Sequence, residues 1–222
     1  MRALIASGTG RYADPWHPFD RTSPLIAEVL TAAGAEVEID DNVDRALTRL
    51  DGFDLLVVNA GDPWRESASD GHPAAVHPEG LRDALDRGIG VLAFHCAVSS
   101  LRDYPAWYPA IGAMWVPTLS FHPPASDTLV SPAEPLGGTA IEGFEIWDEC
   151  YCRLQAIGES TVVAEHPGVG SPEPAAWVRT VGRSRVAVDV LGHDERSCAS
   201  AGHRELIRRL ALWAVGDEAQ SS

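Results

Sequence analysis

The chain has 222 residues, 45% hydrophobic and 22% charged, with 32 acidic against 17 basic side chains and a formal charge of −15. That length and balance suit one globular α/β core and argue against a disordered or fibrous chain. All 17 basic residues are arginine, which excludes Schiff-base chemistry, a lysine general base and a lysine-bearing phosphate loop; with no basic stripe, nucleic acid and anionic membranes are poor partners.

In chain order, residues 3–6 read as a short buried strand, followed by Gly8-Thr9-Gly10 and an aromatic loop holding Trp16, His17 and Pro18. The apolar run before Gly8 is too brief for a signal peptide. A helix is predicted to start with Ser23 as N-cap and Pro24 at its first position, and to stop at Gly34. Residues 36–39 alternate like an edge strand, 42–50 carry apolar residues at helical spacing, and 54–59 hold the unbroken run Leu55-Leu56-Val57-Val58 of a strand covered on both faces. The loop 60–77 is too long for a mere connector and reads as a site wall. Residues 79–87 form a helix ending at Gly88, and 90–94 form another buried strand that enters a helix expected near Ser99.

The second half is richer in strand, with segments around 128–131, 144–146, 161–165, 177–181 and 185–191. The last two are joined as a hairpin by Gly182-Arg183-Ser184. A final helix spans 202–215, closing a single domain of 1–216, and 217–222 read as a disordered tail. No window approaches the ~20 apolar residues of a membrane span. Strand alternating with helix predicts an α/β fold with a doubly wound, mostly parallel sheet, followed by the hairpin and final helix. Ligands of such sheets bind at the carboxyl ends of the strands. That points to residues 7–17, the segment from Asn59, and His95-Cys96.

The turn Phe94-His95-Cys96-Ala97 is where a strand-to-helix elbow would hold a nucleophile. Cysteine and serine elbows place glycine two residues before and two after the nucleophile, whereas Cys96 has Phe94 and Val98. His95 is therefore preferred as the functional group and Cys96 as a packing residue. Of the four cysteines, Cys150 and Cys152 would face the same way on an extended segment; packing is preferred there over a soft metal, and all four read as reduced, in a cytoplasmic protein.

Several short motifs occur in a fixed order: Phe94-His95-Cys96-Ala97, Tyr104-Pro105-Ala106-Trp107-Tyr108, Ile111-Gly112, Phe121-His122-Pro123, Asp148-Glu149-Cys150-Tyr151, Pro174-Ala175-Ala176-Trp177-Val178-Arg179 and Leu191-Gly192-His193. In this the chain resembles the ThuA-like family, named for a trehalose-utilisation protein, over about residues 2–215. The resemblance implies a class I glutamine amidotransferase-like (flavodoxin-like) fold and a link to carbohydrate metabolism. It marks His95, His122, Asp148, Glu149, Tyr151 and His193, and matches His17 to a histidine that often closes the first strand loop. The stretch Trp115-Val116-Pro117-Thr118 departs from the family's usual glycine-rich one and is bulkier.

Histidine serves both as a metal ligand and as a neutral-pH acid or base. The expected ligands of a divalent metal such as zinc are His17, His95, His122 and His193, and the expected catalytic groups are His95, Glu149, His193 and Tyr151. Asp148 and Glu149 would face opposite sides of an extended segment, with Glu149 and Tyr151 sharing the site face. Trp16, Trp107, Tyr108, Asp148 and Cys96 are the expected substrate contacts, since aromatic faces stack on sugar rings. His72, His77, His166 and His203 read as solvated, and Trp177 as core. The expected function is hydrolysis, elimination or isomerisation of a sugar or oxidised (keto) sugar. No PLP or nucleotide is expected, and a homodimer is an allowed assembly. The rivals are a Cys96-dependent hydrolase or amidase and a non-catalytic sugar-binding module.

Overall fold

A computed structural model of the protein describes residues 1–65 and 77–217. His72, most of the loop expected as a site wall, and all but the first residue of the expected tail lie outside them.

The first half alternates as β1 (Arg2–Ser7), α1 (Phe19–Ala32), β2 (Glu36–Asp40), α2 (Val43–Ala46), β3 (Leu55–Asn59), α3 (Pro78–Arg87) and β4 (Gly90–Phe94). Then come α4 (Trp107–Ile111), β5 (Ala113–Met114), β6 (Ser126–Pro132), β7 (Phe144–Asp148), β8 (Gln155–Ala156) and β9 (Thr161–His166). The chain closes with β10 (Glu173–Val181), β11 (Ser184–Asp189), α5 (Glu195–Ala199) and α6 (Ala201–Ala214). Nine of these strands form one sheet in the order β2-β1-β3-β4-β11-β10-β9-β6-β7. From β2 to β11 neighbours run parallel, and from β11 onward each step is antiparallel. The fold is thus α/β, with a doubly wound parallel part extended by the C-terminal hairpin.

The apolar runs that predicted β3 and β4 are buried at every position, as the coverage of both faces requires. One side packs Leu56, Val58, Val91 and Val188 with Leu81, Trp107 and Trp177, and the other packs Ile5, Val57, Leu92 and Ala187 with Ile26, Leu206 and Leu210. Trp177 is core, as expected, and its indole donates to Ile111 O at 2.8 Å.

Three local expectations are corrected. Helix α1 begins at Phe19, because Pro18 O already accepts from the Arg21 and Thr22 amides, both at 2.9 Å. Pro24 therefore lies inside the helix, and Ser23 caps nothing. Its buried hydroxyl donates to Ser7 Oγ and accepts from Asn59 Nδ2, which ties the helix to the carboxyl ends of β1 and β3. The helix expected over 42–50 is only the short α2, capped by Asn42 through the Arg45 amide. No α-helix begins near Ser99; the chain makes a 3-10 turn over His95–Val98 and next becomes helical at Trp107.

Candidate functional site

Four strands end on one side of the sheet with a chemically active residue just beyond them. The loop after β1 carries Asp14 and His17, the turn after β4 carries His95, the loop after β11 carries His193, and Glu149 follows β7. Each pair of antiparallel steps restores strand direction, so β7 points the same way as β11 although it lies at the far end of the sheet. Strand β6 leaves β9 after two register pairs and carries β7 towards α5, where Ser197 Oγ donates to Trp147 O at 2.8 Å.

His95 has φ +45, a left-handed backbone that costs a side-chain-bearing residue of order 1–3 kcal/mol and often marks a functional position. The apex of the elbow therefore presents an imidazole, with Cys96 one residue further on and 3% exposed. His95 Nδ1 faces Val190 O at 2.8 Å. A carbonyl can only accept, so Nδ1 carries the hydrogen and the Nε2 lone pair faces inward, where the Tyr151 hydroxyl lies at 3.0 Å.

His17 is oriented in the same manner. Its Nδ1 lies 2.7 Å from Asp14 Oδ2, while Asp14 Oδ1 accepts the Trp16 and His17 amides. That directs Nε2 towards Glu149 Oε2 at 3.7 Å, and His193 Nδ1 stands 3.2 Å from the same oxygen. Neither contact has hydrogen-bond geometry, and both ring nitrogens are buried without a partner. One ligand atom each from His17, His95, Glu149 and His193 lies within 4.8 Å of the others. Asp14, His17 and Cys96 form a second such group that shares His17.

The charges follow from this geometry. Burial, followed by the positive charge of His17, holds His95 well below the usual histidine range, hence neutral. Burial works against His17 too, but Cys96, Asp14 and Glu149 push it up to about 12. Burial would raise Glu149, yet His17 and His193 beside it hold it well below the usual carboxylate range. Burial lifts Tyr151 well above 10, with Cys96 adding to the effect, so it remains a protonated phenol.

Not every expected residue belongs here. His122 touches Glu149 only at the edge, Nδ1 to Oε1 at 3.5 Å, and lies outside the group of four ligand atoms, in which Glu149 stands instead. Asp148 is fully buried and accepts from the amides of Gly192, His193 and Glu149. It shapes the site from behind, and burial pushes its carboxyl up to about 6. Trp107 is fully buried with its indole on Ala97 O, and Tyr108 does not line the cavity above the histidines. That cavity, about 660 Å³, is walled by Trp16, Trp64, Trp115, Arg102, Cys96 and Tyr151 among others. A second groove of about 650 Å³ lies behind Tyr151, against Trp177 and Arg179, and contains none of the clustered histidines.

Two histidines expected to be solvated are buried. His166 bonds to Tyr151 O at 3.1 Å and to the Gly168 amide. His203 pairs with Asp189 at 2.9 Å with both side chains fully buried; His77 is exposed, as expected. Asp14, Asp189 and His203 were not among the expected site residues. For His203 the signal was its place three, four and seven residues before Leu206, Ile207 and Leu210, on the apolar stripe of α6. The four cysteines are free and buried. Among the described residues no helix is long and apolar enough to cross a membrane.

A family model described as trehalose utilisation, ThuA, matches residues 2–214. No curated protein sequence matches the chain. Similar solved structures include a ThuA-like protein from Parabacteroides merdae, at 15% identity and TM-score 0.75 over 96% of this chain and 89% of that one. Another ThuA-like protein, from Bacteroides uniformis, has 14% identity and TM-score 0.71 over 100% and 93%. PurLQS from Thermotoga maritima is similar at 15% identity and TM-score 0.57 over 94% and 96%. At these identities the likeness is one of fold.

Proposed function

The chain belongs to the ThuA, trehalose utilisation, family, and from that premise we propose a metal-dependent sugar-processing protein that holds a divalent ion with His17, His95, Glu149 and His193. The observation that carries the reading is the convergence of four ligand atoms within 4.8 Å, in a cluster where His17 Nε2 and His193 Nδ1 are buried without a hydrogen bond. Imidazole nitrogens and a carboxylate oxygen are donors that a divalent ion such as zinc takes, and His17, His95, Glu149 and His193 would hold it. The outer contacts fit as well. Metal-bound histidines ordinarily donate their other N–H to a carboxylate or carbonyl, the parts that Asp14 and Val190 play here.

Such an ion supplies Lewis acidity, polarising a carbonyl or acidifying water. The protein's own groups do the rest. Tyr151, a protonated phenol at the cavity floor, is placed to donate to a substrate oxygen, and Glu149 is a carboxylate kept ionised by its histidines. The indoles of Trp16, Trp64 and Trp115 give apolar faces on which a sugar or oxidised sugar ring stacks. Hydrolysis, elimination and isomerisation all use this set, in a cytoplasmic protein. Metal analysis of the purified protein beside His95→Ala and His193→Ala tests the reading. About one ion per chain, lost in both variants, is the expected result, and no ion in the unmodified protein overturns it.

A second reading, a thiol hydrolase or amidase, draws on the Asp14, His17 and Cys96 group. It is the weaker one because His95, not Cys96, occupies the apex. Alkylation of Cys96 that leaves turnover intact excludes it.

A further inference from the structure

The proposed centre depends on two carriers, the turn after β4 that aims His95 and the loop after β11 that aims His193. Both rest on one side chain of α6. His203 is fully buried, with Nδ1 2.9 Å from Ser197 O and Nε2 2.9 Å from Asp189 Oδ2. Both partners accept, so both ring nitrogens carry hydrogen and the imidazolium is balanced by the Asp189 carboxylate.

Asp189 closes β11, and its other oxygen accepts the Leu191 amide at 3.0 Å. Between these two residues Val190 offers the carbonyl that fixes His95. Asp148 then accepts the next two amides, Gly192 at 2.7 Å and His193 at 3.3 Å. Three successive N–H groups of the loop thus end on buried carboxylates. The His203 ring also stacks on Phe94, the residue before His95, with centroids 5.7 Å apart and planes 16° apart. The Phe94 ring also fills the space where a Cβ on Gly192 would stand.

We propose that His203 is a positioning residue of the site, fixing the His193 loop through Asp189 and the His95 turn through Phe94. It thereby sets the separation of the two imidazoles. The inference rests on the metal reading above. A side chain that merely filled the core would need neither the carboxylate nor the stacked ring next to the apex.

The test compares unmodified protein with His203→Gln, which keeps a donor towards Asp189 while losing the rigid ring, and with Phe94→Leu, which removes the stacking and leaves the pair in place. Zinc affinity is measured by competition and the geometry by the visible spectrum of the cobalt(II)-loaded protein, at a temperature where circular dichroism shows each variant folded. The expected result is about tenfold weaker zinc binding, the lower end of the loss for outer contacts of metal ligands, with a shifted cobalt spectrum. If His203→Gln does not fold, Phe94→Leu carries the comparison. Unchanged affinity and spectrum in a folded variant overturn the positioning role alone. If the unmodified protein binds neither ion, the metal reading falls and this inference with it.

Discussion

Two groups of histidines lie within a few residues of the same strand ends, and their surroundings differ in kind. Around Glu149, the rings of His17, His95 and His193 stand with centroids 4.9 to 5.9 Å apart, and two of their nitrogens have no partner. One layer deeper, each nitrogen of His203 meets an oxygen. A buried polar atom left unpaired costs about 1–3 kcal/mol. The cluster bears that cost at two atoms facing one carboxylate, which is what the proposed ion would relieve, whereas His203 bears none.

The widest separation between the two groups lies in stability. His203→Ala strands the Asp189 carboxylate in the core, and breaking a buried pair of this type costs about 3–5 kcal/mol; chemical denaturation of the metal-free protein checks it. His193→Ala removes one of three crowded imidazoles and should lower that stability by less than His203→Ala does, while zinc affinity falls more than about 100-fold, beyond the range of outer contacts. Equal stability losses in the two variants would break the contrast. Asp14→Asn should land in between, with zinc binding about 10–100-fold weaker and little change in unfolding, as read by competition titration.

Changing pH sharpens the same contrast. At His203 burial favours the neutral ring, but the Asp189 carboxylate outweighs it and raises the value above 6.5. The pair's contribution is therefore complete below about 6.5 and is lost as pH climbs through the raised value. Unfolding free energy of the unmodified protein should fall relative to His203→Gln over that climb. At the open cluster the sign is reversed, because metal must displace the proton held by His17. Apparent zinc affinity should rise with pH by up to about tenfold per unit, with proton release visible by calorimetry in buffers of different ionisation enthalpy. The smallest effect is expected at the rim. Trp16, 64% exposed, should change stability by less than about 0.5 kcal/mol when replaced by alanine, while sugar binding weakens several-fold.

The buried strands were legible because an unbroken apolar run bounded by polar residues has few other readings, and β3 and β4 took those bounds to within a residue. His17 and His95 were expected at strand ends, where such folds collect their ligands, and the family resemblance added Glu149 and His193; the fold brings these four side chains together. What escaped was whatever depends on a partner distant in sequence. Ser23-Pro24 has the local form of a helix start, but the hydroxyl was taken by Ser7 and Asn59. His203 was read as solvated on the exposed face of the last helix although it falls on the apolar stripe, and nothing nearby in sequence announces Asp189. Asp148 and Glu149 were set on opposite faces by strand periodicity, and the backward face meets loop amides.

Strand β11 has a consequence in time. It is the seam of the sheet, parallel to β4 on one side and antiparallel to β10 on the other, and its Val186 lies beside Val91. Contacts between residues so far apart in sequence form slowly, because closing the intervening chain costs entropy before any contact is gained. Until β11 docks, β4 remains an unpaired apolar edge, open to pairing with another chain. His95 and His193 meet only on that docking, so the assembled site itself reports that the nascent chain has folded through β11.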